Sequence, residues 1–180
     1  MATVEPIRSK ADIKKIEKIL EKRSLRDLLL FDIGINSGLR ISDILSLNVS
    51  DVKNKNYICV TEKKTGKYKK LPINSKLKNL IEKYAKNKNE DSPLFKTAVG
   101  NRMNRILAYM IINDVCNVAG LNIQAGTHTM RKTFGYHHYK KFKDVAMLQM
   151  IFNHSSPQIT LRYIGISQDE IDKSYKNFIL

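Results

Sequence analysis

The chain has no tryptophan, two cysteines and four prolines in 180 residues, and only 17 acidic residues against 32 lysines and arginines. Each scarcity excludes something. Cys59 and Cys116 have no close partner in sequence and sit in apolar surroundings, Tyr57-Ile58-Cys59-Val60 and Asp114-Val115-Cys116. A disulfide framework is therefore excluded, and buried free thiols in a cytoplasmic protein are expected. Histidine is equally sparse, and His137 and His138, being adjacent, point their side chains in different directions on a helix. Neither a metal site nor a cofactor is expected. No run of about 20 apolar residues is available to span a bilayer. The N-terminus has no basic stretch followed by an apolar core and a small-residue cleavage site, so secretion is not expected either.

What is present describes a globular domain. Apolar residues make up 42% and charged residues 27%. The length supports one substantial core, so residues 1–180 read as a single domain. The net charge of +15 creates a field that steers the chain towards a polyanion. Nucleic acid is the first candidate and an acidic membrane surface the second. The plain alternative is a lysine-rich solvated surface with no partner behind it.

Periodicity predicts mostly helix. Ser9 opens a helix over residues 10–22, with Asp12 as its capping-box partner and Ile13, Ile16 and Leu20 on one face. A second helix runs from Leu25 to Ser37 and stops at Gly38, and Ser42-Asp43-Ile44-Leu45 begins a third. Tyr57–Thr61 and Tyr68–Ile73 read as strands joined by a Thr65-Gly66 turn, with Pro72 marking an edge or an end. Helices follow over Ser75–Lys86, Asn101–Val118, Thr129–Tyr139, Lys143–Phe152 and Pro157–Tyr163, with a terminal one over Gln168–Phe178. The Met103, Leu107, Met110, Ile111 and Val115 stripe reads as core. The fold class is mainly α (α+β), with a small antiparallel sheet of two to three strands.

Certain polar residues fall where apolar periodicity does not call for them: Arg40, Lys64, His128, Arg131, His154 and Tyr163. They lie in four blocks: Ser37-Gly38-Leu39-Arg40-Ile41-Ser42-Asp43, Lys64-Thr65-Gly66-Lys67, His128-Thr129-Met130-Arg131-Lys132-Thr133-Phe134, and His154-Ser155-Ser156-Pro157 through Thr160 to Tyr163. Any one is weak evidence, since a basic chain produces His-x-x-Arg by chance. Arg40 alone reads as a helix cap or a partner of Asp43, Lys64 as a solvated turn lysine, the histidines as core or capping groups, and Tyr163 as a buried ring. In order, with nine residues from His154 to Tyr163, the blocks resemble the tyrosine recombinase (phage integrase) family from Leu28 to about Gly165. Two positions depart from that pattern: Lys132 stands where many relatives have His, and Asn153 where Gly is frequent.

The resemblance implies the catalytic-domain fold and a site-specific DNA strand transferase. Arg40, Lys64, His128, Arg131, His154 and Tyr163 are the expected catalytic set, supported by Asp43 and Lys132. Lys63, Lys67, Lys69, Lys70, Lys132, Lys140, Lys141 and Lys143 are expected to face double-stranded DNA. The family's N-terminal DNA-clamping domain is not expected within the short stretch before Leu28, so the sequence reads either as a catalytic fragment or as a compact stand-alone member. The resemblance also implies a tetrameric synapse on DNA and a monomer in its absence. Two alternatives stay open: a catalytically silent DNA-binding module of the same fold, and a tyrosine enzyme that only relaxes DNA. The residue types suit the chemistry independently. A phenol near pKa 10 needs a base or a positive field before it attacks phosphorus. Guanidinium forks match the oxygens of the pentavalent transition state, and an acid must protonate the departing oxygen.

Overall fold

The computed structural model describes residues 4–166 and 174–178. The elements are α1 (Lys10–Arg23), α2 (Leu25–Ser37), α3 (Ile41–Ile44), β1 (Tyr57–Thr61), β2 (Tyr68–Pro72), α4 (Ser75–Ala85), α5 (Arg105–Val118), α6 (Thr127–Phe142), α7 (Val145–Phe152) and α8 (Pro157–Ile164). A short 3-10 turn, Val49–Asp51, lies between α3 and β1.

Side-chain caps set the first boundaries. Ser9 Oγ accepts from the amides of Ala11 and Asp12 at 3.1 and 3.3 Å to open α1. The Ser24 backbone closes α1, while its hydroxyl accepts from the Asp27 amide at 3.3 Å to open α2. Helix α2 is buried without interruption from Leu28 to Gly34. A helix apolar on every side belongs in the interior, and α1, α4 and α6 pack around it.

The hairpin is antiparallel, with Tyr57 opposite Pro72 and Thr61 opposite Tyr68. Its alternation turns Ile58 and Val60 inward and leaves Cys59 exposed, which corrects the expectation of two buried thiols. Cys116 is buried on α5, and burial pushes its thiol up to about 11. The mainly helical reading with a small antiparallel sheet is correct, and among the described residues the sheet has two strands. No helix among them is long and apolar enough to cross a membrane.

Where boundaries differ from the periodicity, a cap explains the difference. Helix α5 starts at Arg105, later than Asn101, because Asn104 Oδ1 accepts from the Leu107 amide at 2.8 Å. A bridge between Lys96 and Arg102 holds the preceding residues extended. Helix α6 starts earlier than Thr129, since Thr129 Oγ1 accepts from the Gly126 amide at 3.0 Å. Asp144 caps α7 through the Met147 amide at 2.8 Å. On α5, Ala108, Ile112, Val115 and Cys116 take the buried face, and Met110, expected in the core, is 57% exposed. Most of the expected Gln168–Phe178 helix, Ile171 included, lies outside the described residues.

The apolar interior has two parts. The larger, built on α2, gathers α1, α4, α5 and the buried face of β1. The smaller consists of Leu148, Phe152, Ile164 and Ile166, flanked by Phe134, Tyr139, Leu161 and Tyr163. Helix α6 lies between them and approaches both closely. A Cβ on Gly34 of α2 would sit 2.5 Å from Met130 Sδ, and one on Gly135 of α6 would sit 2.6 Å from Ile164 Cγ2 and 2.7 Å from the Phe152 ring. The second contact has no flexible side-chain end to yield. Gly135→Ala is therefore expected to destabilise the protein by roughly 1–3 kcal/mol, read as a lower urea midpoint with an unchanged slope.

Candidate active site

Gly38 ends α2 with a φ of 63°, a left-handed conformation that glycine adopts without strain. The reversal places Arg40 at the N-terminus of α3 and turns the Gly38 carbonyl towards α6, where it accepts from Arg131 Nη1. Arg131 Nη2 donates to the Phe152 carbonyl at 2.9 Å, and the guanidinium carbon lies 4.3 Å from the Phe152 ring centroid. Arg131 is only 3% exposed, and burial lowers its pKa, with Arg40 adding to the lowering and Tyr163 opposing it. A guanidinium has five N–H donors, so two backbone bonds fix the plane and leave donors for an incoming anion.

Arg40 is held by a residue that the sequence did not single out. Its Nη1 lies 2.8 Å from Glu62 Oε1, and Glu62 is fully buried. Lys69 Nζ lies 2.9 Å from the same oxygen, and Thr65 Oγ1 donates to Oε2 at 2.7 Å. Burial alone would raise the Glu62 pKa, but Thr65, Lys69 and Arg40 outweigh it and lower it to about 2. Asp43, the acidic neighbour expected to support the site, does not pair with Arg40. It is fully buried, and its Oδ1 accepts from the Lys63 amide at 3.0 Å. Asp43 thus fixes the backbone one residue before Lys64.

Lys64 is exposed in the β1–β2 turn and lines a cleft of about 400 Å³ together with Arg40, Lys63, Arg105, His128 and Arg131. The hairpin is tied across to the end of α7: Lys67 Nζ donates to Asn153 Oδ1 at 2.5 Å and Lys69 Nζ to the Ile151 carbonyl at 2.5 Å. Asn153, the departure from the family's frequent glycine, holds a left-handed φ of 53° at the α7 C-cap and supplies that acceptor itself.

Helix α8 opens with Pro157 in its first turn and Ser156 accepting from the Ile159 amide at 3.2 Å, and ends at Gly165, whose φ is 77°. Tyr163, near that end, is half-buried, with its Oη 3.1 Å from His128 Nδ1. Its ring centroid lies 5.1 Å from that of His154 and 5.5 Å from that of Phe152. Burial raises the Tyr163 pKa, and Arg131 and Arg40 pull it back. His128 is lowered by burial, then by Arg131, Lys132, Arg105 and Arg40. His154 is lowered to about 4 by burial and then by Arg131, Arg40 and Lys69. The Thr160 hydroxyl lies 3.0 Å from His154 Nδ1 and 3.2 Å from the Ser156 carbonyl.

The fold therefore gathers all the expected catalytic residues. Arg40, Lys64, His128 and Arg131 line the cleft, Tyr163 joins through His128, and His154 packs on the Tyr163 ring. The lysines divide. Lys63, Lys67 and Lys70 are exposed on the hairpin, Lys70 over the Tyr57 ring at 4.2 Å. Lys140, Lys141 and Lys143 are exposed at the far end of α6, roughly 18 Å along the axis from His128 at 1.5 Å per residue. Two expected surface lysines lie inside instead. Lys69 turns inward onto Glu62 and Ile151, and Lys132 is 6% exposed with its Nζ 5.1 Å from the Tyr163 ring centroid. Lys69 alternates inward on β2, and Lys132 sits on the inner face of α6.

Glu62 had a faint sequence signal, a lone acid in the basic run Glu62-Lys63-Lys64. Arg105 had another: it opens α5, where the positive end of the helix dipole disfavours a cation unless an anion comes there.

The Phage integrase family model matches residues 8–170. The chain belongs to the phage integrase family. It is 48% identical over 179 residues to the probable integrase/recombinase YoeC of Bacillus subtilis (strain 168), covering 99% of this chain and 98% of that protein. The crystal structure of XerA recombinase superimposes with a TM-score of 0.77 at 19% identity, over 96% of this chain and 63% of that one. XerH site-specific recombinase bound to palindromic difH substrate, in a post-cleavage complex, gives 0.73 at 20% identity, over 94% of this chain and 51% of that one. This member of the phage integrase family thus spans nearly all of the Bacillus protein but less than two thirds of either crystallised chain.

The His154 shift has a testable sign. The unfolded chain binds a proton near 6.5 and the folded one near 4, so the unfolded state holds more protons in between. Stability from this group is complete above pH 6.5 and is lost as pH falls to 4. An NMR titration of the His154 ring is expected to show a midpoint near 4, and His154→Gln is expected to flatten the acid arm of the stability curve.

Proposed function

We propose that this chain cuts and rejoins double-stranded DNA at specific sites through a covalent 3′-phosphotyrosyl bond to Tyr163. The observation that carries the reading is the Tyr163 Oη–His128 Nδ1 contact of 3.1 Å beside a cleft lined by Arg40 and Arg131. Neutral His128, its pKa lowered, takes the phenolic proton as Oη bonds to phosphorus. Arg40 and Arg131 hold the non-bridging oxygens, and His154, packed on the Tyr163 ring, is the further donor to them. As the bond from phosphorus to the 5′-oxygen breaks, Lys64 protonates that oxygen. Rejoining runs the same steps backwards, with a 5′-hydroxyl attacking the phosphotyrosine. Lys132, beneath the Tyr163 ring, favours the phenolate.

A cytoplasmic location and assembly as a tetrameric synapse on paired sites, from free monomers, complete the proposal. Exposed Phe142, Met147 and Met150 on α6 and α7, with exposed Tyr175 and Phe178, support the assembly. The exposed Lys63, Lys67 and Lys70 of the hairpin, and Lys140, Lys141 and Lys143, support contact with the DNA backbone.

Two experiments use a duplex selected from random sequence and nicked near the cleavage point. Tyr163→Phe is expected to abolish the denaturant-resistant protein–DNA adduct and leave duplex affinity nearly unchanged, and a surviving adduct would remove Tyr163 as nucleophile. Lys64→Ala is expected to slow cleavage of an ordinary phosphodiester far more than that of a 5′-phosphorothiolate, whose leaving group needs little protonation. Equal losses on the two substrates would reduce Lys64 to a phosphate contact.

A further inference from the structure

We propose that Glu62 is a positioning residue for strand cleavage, a buried anion that aims Arg40 and locks the Lys64 hairpin against the end of α7. The inference rests on the reading of the site as a DNA-cleaving centre and deepens it.

Glu62 joins side chains from elements that Asp43 and Asn153 otherwise tie only at the hairpin turn. Through Oε1 it meets Arg40, at the start of α3, at 2.8 Å, and Lys69, on β2, at 2.9 Å. Through Oε2 it accepts from Thr65, next to Lys64, at 2.7 Å. Its backbone closes the same turn, with its amide donating to the Lys67 carbonyl at 2.9 Å and its carbonyl accepting from the Gly66 amide at 2.8 Å. Lys69 carries the connection onward to the Ile151 carbonyl at 2.5 Å, and Arg131 binds the next carbonyl, that of Phe152, at 2.9 Å. Two cations thus dock on consecutive carbonyls at the C-terminal end of α7, where the helix dipole is negative. Arg40, Glu62, Lys69 and the end of α7 form one continuous chain from the first catalytic arginine to the segment that holds the second.

The charge count says why an anion is needed here. Arg40, Lys69 and Arg131 lie close enough to perturb one another, and Lys69 is lowered by burial even with Glu62 beside it. Before phosphate arrives, nothing else among the described residues contacts Arg40 with a negative charge: Asp43 is committed to the Lys63 amide. Glu62 holds the Arg40 guanidinium by charge, as a close ion pair outside aligned hydrogen-bond geometry, while Arg40 lines the cleft. A neutral side chain of the same shape keeps the packing and the acceptor for Thr65 but loses the hold on both cations.

Glu62→Gln tests this on the nicked duplex that supports wild-type adduct formation, with single-turnover cleavage rate and duplex Kd measured separately. A misaimed guanidinium should slow cleavage about 10²-fold, with Kd within about twofold. Glu62→Asp, which keeps the charge but draws it back by one methylene, should recover part of the rate. A Glu62→Gln rate at or above wild type overturns the proposal, as does a loss residing wholly in Kd. Should Glu62→Gln show no cooperative melt, Glu62→Asp carries the test alone: slower cleavage at unchanged Kd upholds positioning, and the wild-type rate overturns it. If the wild-type protein itself forms no adduct, the recombinase reading falls and this proposal with it. An active wild type beside an equally active Glu62→Gln removes this proposal only.

Discussion

The structure depends on one buried guanidinium. Arg131 binds the Gly38 carbonyl at the end of α2 and the Phe152 carbonyl at the end of α7, and packs over the Phe152 ring. It therefore bonds to a backbone turn of each core and sets the distance between them. A buried arginine without partners would be strongly destabilising. Here both carbonyls come from helix ends that need donors in any case, so structural and chemical demands are met by the same group. Arg40, beside the larger core, then lines the cleft, and Tyr163, beside the smaller one, reaches its edge through His128.

The electrostatics follow from that arrangement. Arg40, Lys132 and Arg131 act on one half-buried phenol, and Glu62 is the buried carboxylate paired with Arg40 and Lys69. Burial first, and then the surrounding cations, lower His128 and His154, which under the proposed function leaves His128 ready as a base at neutral pH. Burial pushes the Tyr163 phenol up while the arginines pull it down, so in the proposed reaction the aim of those cations bears on its readiness to attack.

Much of this was legible in the residues. Ser9 and Gly38 marked helix ends that the structure keeps, and the Thr65-Gly66 turn set the hairpin. The spaced polar residues named their cleft because each broke an apolar period. Three matters were not legible, for distinct reasons. Alternation along a strand gives which residues share a face but not what that face meets, so Lys69 read as surface like Lys67. Lys132 belongs to a helix buried on two sides, whose periodicity separates inside from outside poorly. Glu62 acts through partners far apart in the chain, and a lone acid among lysines carries no spacing to mark it. Met110 went the other way: a helical stripe fits two adjacent faces, and α5 buries the one carrying Ile112 and Cys116.

The division of the interior has a bearing on the motion open to Tyr163. Four fully packed residues hold the smaller core, whereas the larger draws on most of the remaining helices. Cooperative units with few buried apolar contacts open at lower free energy than the whole molecule. Tyr163 flanks the smaller of these two groups, so local opening there is expected to need less free energy than disruption of α2 and its neighbours. Amide hydrogens of α8 would then exchange well ahead of those of α2, and the Tyr163 hydroxyl would leave its contact with His128 by a local event, with global unfolding playing no part.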